Sequence, residues 1–158
     1  MKIVLHEAKF DSLFGVLCSV LTLSGYSHGS IIDNYGQRWD TTFKRGRFSI
    51  TDSLCNEPDR KVIIIDIPDR DPGEFLALNH GRKYDAMGLI LWPWRKENPD
   101  RWYCFESLDR CLAAVGVNLN LRKEISAKTI LNALLSQGYR ATITKGRYYD
   151  YKDKELSP

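Results

Sequence analysis

Apolar residues along this chain fall into short runs and helical recurrences, punctuated by proline, glycine and charged stretches, and that punctuation predicts the elements. Residues 2–6 predict a first short strand. Residues 10–23 have helical length, with Phe14, Leu17 and Leu21 apolar at helical spacing, and Gly25 breaks the pattern. Residues 26–33 read as a strand, Asn34-Tyr35-Gly36 as a tight turn and residues 37–43 as the returning strand of a hairpin. Residues 48–50 add a further short strand, and residues 52–60, polar and containing a proline, read as a loop. The run Val62-Ile63-Ile64-Ile65 within 61–67 predicts a strand buried on both faces, ended by Pro68.

Helical signals dominate the second half. Pro72 sits where a helix can start, predicting a helix over 72–79. Residues 84–92 are apolar and predict a short helix closed by Pro93, with a loop over 96–100. From Tyr103 to Val115 the apolar positions Phe105, Leu108, Leu112 and Val115 recur at helical spacing, and Gly116 supplies the stop. Ser126 caps a last helix through Leu135, Gly138 ends it, and residues 140–144 form a final strand. The pattern predicts an α+β fold, a small antiparallel sheet packed against helices, in one domain over 1–158 with a flexible tail over 149–158.

Composition narrows the classes. A chain of 158 residues, 43% hydrophobic and 27% charged, can bury a core without disulfide or metal staples. Cys18, Cys55, Cys104 and Cys111 show no C-x-x-C pair and no zinc spacing, so they read as free thiols of a reducing, cytoplasmic compartment. The apolar run 13–23 is too short to span a bilayer and lacks the flanks of a signal peptide, so no membrane span is expected. A net charge of +3 is too mild to imply nucleic acid, and the cluster Lys44, Arg45 and Arg47 is accounted for by a solvated hairpin end.

Candidate chemistry begins at Cys104, in Arg-Trp-Tyr-Cys-Phe-Glu at the start of the 103–115 helix. The positive end of a helix dipole and its unpaired N–H groups favour a thiolate there. A thiol also needs a base, and the chain holds three histidines. His6 ends the first strand and His80 lies at a helix C-terminus, whereas His28 opens a hairpin strand. A 34–36 loop sets His28 opposite Thr42, so Asp40 falls on the same face, diagonally adjacent, as an orienting carboxylate. The competing readings are a core cysteine and a solvated strand-end acid. Glu106, in the first helical turn, reads as a helix-start acid.

Tyr26-Ser27-His28, Tyr84-Asp85-Ala86-Met87-Gly88-Leu89 and Trp102-Tyr103-Cys104-Phe105-Glu106 follow one another in the chain. Their order resembles that of circularly permuted papain-like cysteine hydrolases of the NlpC type, which are related to lecithin retinol acyltransferase-like proteins and include small bacterial and phage proteins. The resemblance spans residues 1–116 and implies a permuted papain-like fold with Cys104 as nucleophile, His28 as base and Asp40 as the third, polar residue twelve positions on. Phe105 departs from the small residue usual after the cysteine, Gly29-Ser30 replaces a more apolar and acidic pair, and the region after Gly116 has no clear counterpart. The function implied is a thiol hydrolase or peptidase that needs no cofactor and no metal. Its substrate would be a peptide, a peptidoglycan peptide or an acyl ester. Trp92, Trp94, Trp102 and Tyr103 either line a substrate groove or pack the loop on the sheet. The alternatives are a catalytically silent papain-like binding protein, for instance a phage protein that captures or inhibits a protein partner in the host cytoplasm, and a lipid acyltransferase or deacylase.

Overall fold

The computed structural model describes residues 1–8, 25–42, 44–51, 61–86, 98, 100–121 and 125–145. The helix expected over 10–23, the loop over 52–60, most of the helix expected over 84–92 and the tail from 147 lie outside the described residues, as do Cys18, Cys55, Trp92 and Trp94. The strands are β1 (Lys2–Glu7), β2 (Tyr26–Ile32), β3 (Arg38–Thr41), β4 (Phe48–Thr51), β5 (Lys61–Asp66), β6 (Lys83–Tyr84), β7 (Arg101–Trp102) and β8 (Ala141–Lys145). The helices are α1 (Gly73–Asn79), α2 (Cys104–Ala114) and α3 (Ala127–Ser136). The fold is α+β, built on one six-stranded antiparallel sheet in the order β4-β3-β2-β1-β5-β8.

Strand alternation divides the apolar residues between two faces. Ile3, Leu5, Ile31, Trp39, Ile63 and Ile65 join the main core, with Phe105, Leu108 and Leu112 of α2 and Ile130 and Leu134 of α3. Val4, Ile32, Val62 and Ile64 form a second buried cluster on the other face. The unbroken 62–65 run is therefore a strand buried on both sides, as its composition predicts.

The helix ends follow local chemistry. Tyr103 precedes α2, and its N–H donates to Glu106 Oε2 at 3.1 Å, one half of a capping box. Gly116, at φ +83°, takes the left-handed turn after α2, and the N–H of Val117 returns to the carbonyl of Leu112 at 2.8 Å. Ser126 caps α3 by accepting from the N–H of Thr129 at 3.3 Å.

One expected element changes. Tyr84 does not open a helix: β6 pairs in parallel with β7, and the N–H of Tyr84 donates to the carbonyl of Gly46 at 2.8 Å. A short apolar stretch carries too little periodicity to separate a strand from a helix, and partners far along the chain decide it. Among the described residues, no helix is long and apolar enough to cross a membrane.

Gly29 fixes how closely α2 approaches β2. A Cβ at that position would lie 2.5 Å from Leu108 Cδ1 and 3.2 Å from Phe105 Cδ1, and both side chains are fully buried. Gly29→Val is expected to lower unfolding stability by about 1–3 kcal/mol, as overpacking in a filled core does. Urea denaturation of the variant beside the parent measures it, and an unchanged midpoint would show that α2 can lift from the sheet at no cost.

Candidate active site

The hairpin register positions two of the three candidate residues. Ser30 pairs with Asp40, Ile31 with Trp39 and Ile32 with Arg38, and Asp33 N–H donates to the Gln37 carbonyl at 3.0 Å. This is the register that a 34–36 loop implies, and it makes Asp40 the diagonal neighbour of His28. His28 Nε2 lies 3.1 Å from Asp40 Oδ2. With Nε2–H donating to the carboxylate, Nδ1 is the ring nitrogen able to take up a proton.

Asp40 is fully enclosed and holds more than the imidazole. Arg38 Nη2 donates to the same Oδ2 at 2.8 Å, and Arg45 Nη2 sits 2.9 Å from Oδ1 as an ion pair outside hydrogen-bond alignment. The Asp40 side chain has no solvent exposure, against 18% for His28, 8% for Arg38 and 33% for Arg45. Burial pushes its carboxyl pKa up. The hydrogen bond from His28 and the positive charges of His28, Arg38 and Arg45 outweigh this, so the group sits below the usual carboxylate range. His6 extends the cluster: its ring centroid is 5.4 Å from that of His28, and its Nε2 lies 2.9 Å from Ser30 Oγ.

Cys104 is the first residue of α2 and is buried, at 3% exposure. The first turns of α2 pack on the face of β2 and β3 that carries Gly29 and Thr41, whereas His28 and Asp40 project from the opposite face, so the structure pairs these two and does not bring Cys104 against them. Phe105 and Leu108 press on Gly29, the residue after His28, and Thr41, the residue after Asp40, donates to Ser107 Oγ at 3.4 Å. Ser107 Oγ in turn donates to the Cys104 carbonyl at 2.7 Å. Parallel pairing of β6 with β7 brings Tyr84 beside Trp102, and the N–H of Asp85 donates to the Trp102 carbonyl at 3.1 Å. The two later sequence motifs, 70 residues and more from β1 in the chain, are therefore adjacent in space.

Several neighbours have structural tasks. Glu106, 4% exposed, spends its carboxylate on the N–H of Tyr103. Trp102 stacks on Phe75 at 5.8 Å under the Arg82 guanidinium, and the Tyr103 hydroxyl donates to the Ile125 carbonyl at 2.7 Å. Both rings are buried, so they pack the loop on the sheet and do not line an open groove. Burial pushes the Cys111 thiol up to about 12, only partly offset by the N-terminal charge, which leaves it inert at neutral pH.

The sequence reading missed Arg38, Arg45 and His6. Arg38 had a signal, since it stands two residues before Asp40 and so shares its strand face. Arg45 was assigned to a solvated hairpin end, whereas its guanidinium also reaches into the hairpin to Asp40. No family model matches the chain, and no curated protein is similar to it.

The Asp40 carboxyl is held below its ordinary range in the folded protein, so its contribution to stability is complete above the unfolded carboxylate pKa, about 3.9. It is lost as pH falls through the lower, folded value. Asp40→Asn is expected to flatten the fall in stability below about pH 4 and to cost about 3–5 kcal/mol at pH 7, because the buried Arg38 guanidinium loses its counter-charge. Urea titrations from pH 2 to 7 compare the two proteins; parallel curves would mean that Asp40 is already solvated.

Proposed function

We propose that the chain is a permuted papain-like thiol hydrolase in which Cys104, His28 and Asp40 cleave an amide or ester through an acyl-enzyme. The observation that carries this reading is the 3.1 Å contact between His28 Nε2 and Asp40 Oδ2. An imidazole whose Nε2–H is committed to a buried carboxylate has a fixed tautomer, and Nδ1 becomes its proton-carrying edge. Strand alternation turns Gly29 toward α2 and His28 to the opposite face of the sheet, with Asp40, Ser30 and His6, so the thiol would have to reach the imidazole around the end of β2. Cys104, the first helical residue, belongs to the core on the α2 face.

The chemistry runs in two halves. His28 Nδ1 takes the proton of the Cys104 thiol, and the thiolate sulfur bonds to the substrate carbonyl carbon. The oxyanion accepts from backbone N–H at the start of α2, the C–N or C–O bond breaks, and the leaving group takes the proton from His28. Water then gives a proton to His28 and attacks the thioester, releasing the acid and the thiol. Peptide, peptidoglycan-peptide and acyl-ester substrates all fit this sequence of steps.

One observation favours a second reading. Cys104 is 3% exposed, which suits a catalytically silent papain-like domain that binds a partner protein. The two readings separate in the pH dependence of iodoacetamide labelling, mapped by mass spectrometry in the parent and in His28→Ala. The hydrolase reading expects Cys104 to label well below the free-thiol pKa of about 8.5 and to slow by about tenfold or more in the variant. Labelling of Cys104 as slow as that of Cys111, indifferent to His28, sinks the catalytic reading and leaves the binding one.

A further inference from the structure

Arg47, Lys83 and Arg101 occupy one row across three adjacent backbone segments. Arg47 is bridged to Lys83 in antiparallel register, and Lys83 pairs with Arg101 in parallel register. Directly paired residues project to the same side, so three exposed cationic side chains rise together from backbone segments about 4.8 Å apart. Like charges opposite one another destabilise a strand pair, and among the described residues no carboxylate forms an ion pair with any of the three. An anion seated on the row would offset that repulsion.

The surface around the row is a shallow, open depression. Arg47 and Lys83 line a cavity of about 620 Å³ with Arg45, Ser49, Ile50 and His80. Lys83 and Arg101 line an adjoining one of about 690 Å³ with Leu78, Arg82 and Asp100. His80, Gly81 and Lys83 belong to both, so the two form one groove, with Asp100 its single acidic lining residue among those described. Two apolar side chains border it in the open: Ile50 at 41% exposure and Leu78 at 75%.

We propose that this groove docks an acidic peptide segment of a partner protein, with carboxylates over the Arg47–Lys83–Arg101 row and apolar side chains on Ile50 and Leu78. The lining favours a peptide over a nucleic acid strand. Among the described lining residues only His80 offers a base an aromatic ring, and the net charge of +3 is too small for a long phosphodiester track. None of the proposed catalytic residues lines the groove, although Arg45 both lines it and pairs with Asp40, and the proposal stands whether or not the chain is a hydrolase.

The test uses the whole chain and fluorescence anisotropy with three labelled probes of equal length: a peptide of Asp, Glu and Leu, its counterpart of Lys and Leu, and single-stranded oligothymidylate. The acidic peptide is expected to bind best, to weaken as salt rises through about 0.15 M, and to weaken by about tenfold or more when Arg47, Lys83 and Arg101 are all changed to Ala. The triple variant should melt no lower than the parent, since it relieves a like-charge row, which separates a lost site from a lost fold. Leu78→Ser should weaken the acidic peptide and leave its salt dependence unchanged. Equal binding of the acidic and basic peptides, or full binding by the triple variant, overturns the proposal. Preferential binding of oligothymidylate overturns it too and assigns the row to phosphodiesters.

Discussion

Asp33 closes the β2–β3 hairpin with its own carboxylate. Oδ1 accepts from the N–H groups of Tyr35 at 3.0 Å and Gln37 at 2.8 Å, while Oδ2 accepts from Trp39 Nε1 at 3.0 Å. An aspartate that satisfies its own turn and ties down the ring of the returning strand admits one pairing of β2 with β3. Everything at the candidate site depends on that register, because a slip of one residue turns every side chain to the opposite face. Asp40 would leave His28, and Thr41 would leave Ser107 of α2.

A buried carboxylate also constrains the residues around it. Asp40 cannot be ionised without compensation, and two guanidinium groups and an imidazole supply it. The arrangement differs from a simple triad, in which the third residue serves the histidine alone. Arg38 shares Oδ2 with His28, so the carboxylate orients the imidazole through an oxygen that is itself held rigidly by a second donor. Stiffness of this kind limits how far the imidazole can turn.

The sequence made the hairpin legible because its signals are local. Turn residues at 34–36 and apolar positions on either side leave little freedom, and they led to the contact between His28 and Asp40. Cys104 at a helix start was legible for the same reason, through helical periodicity that begins just after Tyr103 and stops at Gly116. What escaped was set by partners distant in sequence. Tyr84 is a strand because Gly46 and Trp102 flank it, and Trp102 is a packing residue because Phe75 stacks beneath it. Arg45 looked like solvent-facing charge since nothing within a few residues announces that it returns to Asp40.

Arg45 links the two surfaces that carry the chemistry. One amino group faces Asp40 Oδ1 at 2.9 Å, the other donates to the Ile50 carbonyl at 3.4 Å on the edge strand β4, and the same side chain lines the basic groove. Each acceptor takes its own amino group, so together they fix where the guanidinium points. Carboxylates seated in the groove would draw on the cation that helps keep Asp40 ionised, and Arg38, at 8% exposure, would have to carry more of that load. The fully buried Arg38 side of Asp40 is thus the constant half of the site, and the one-third exposed Arg45 side is the half through which an anion outside could be felt.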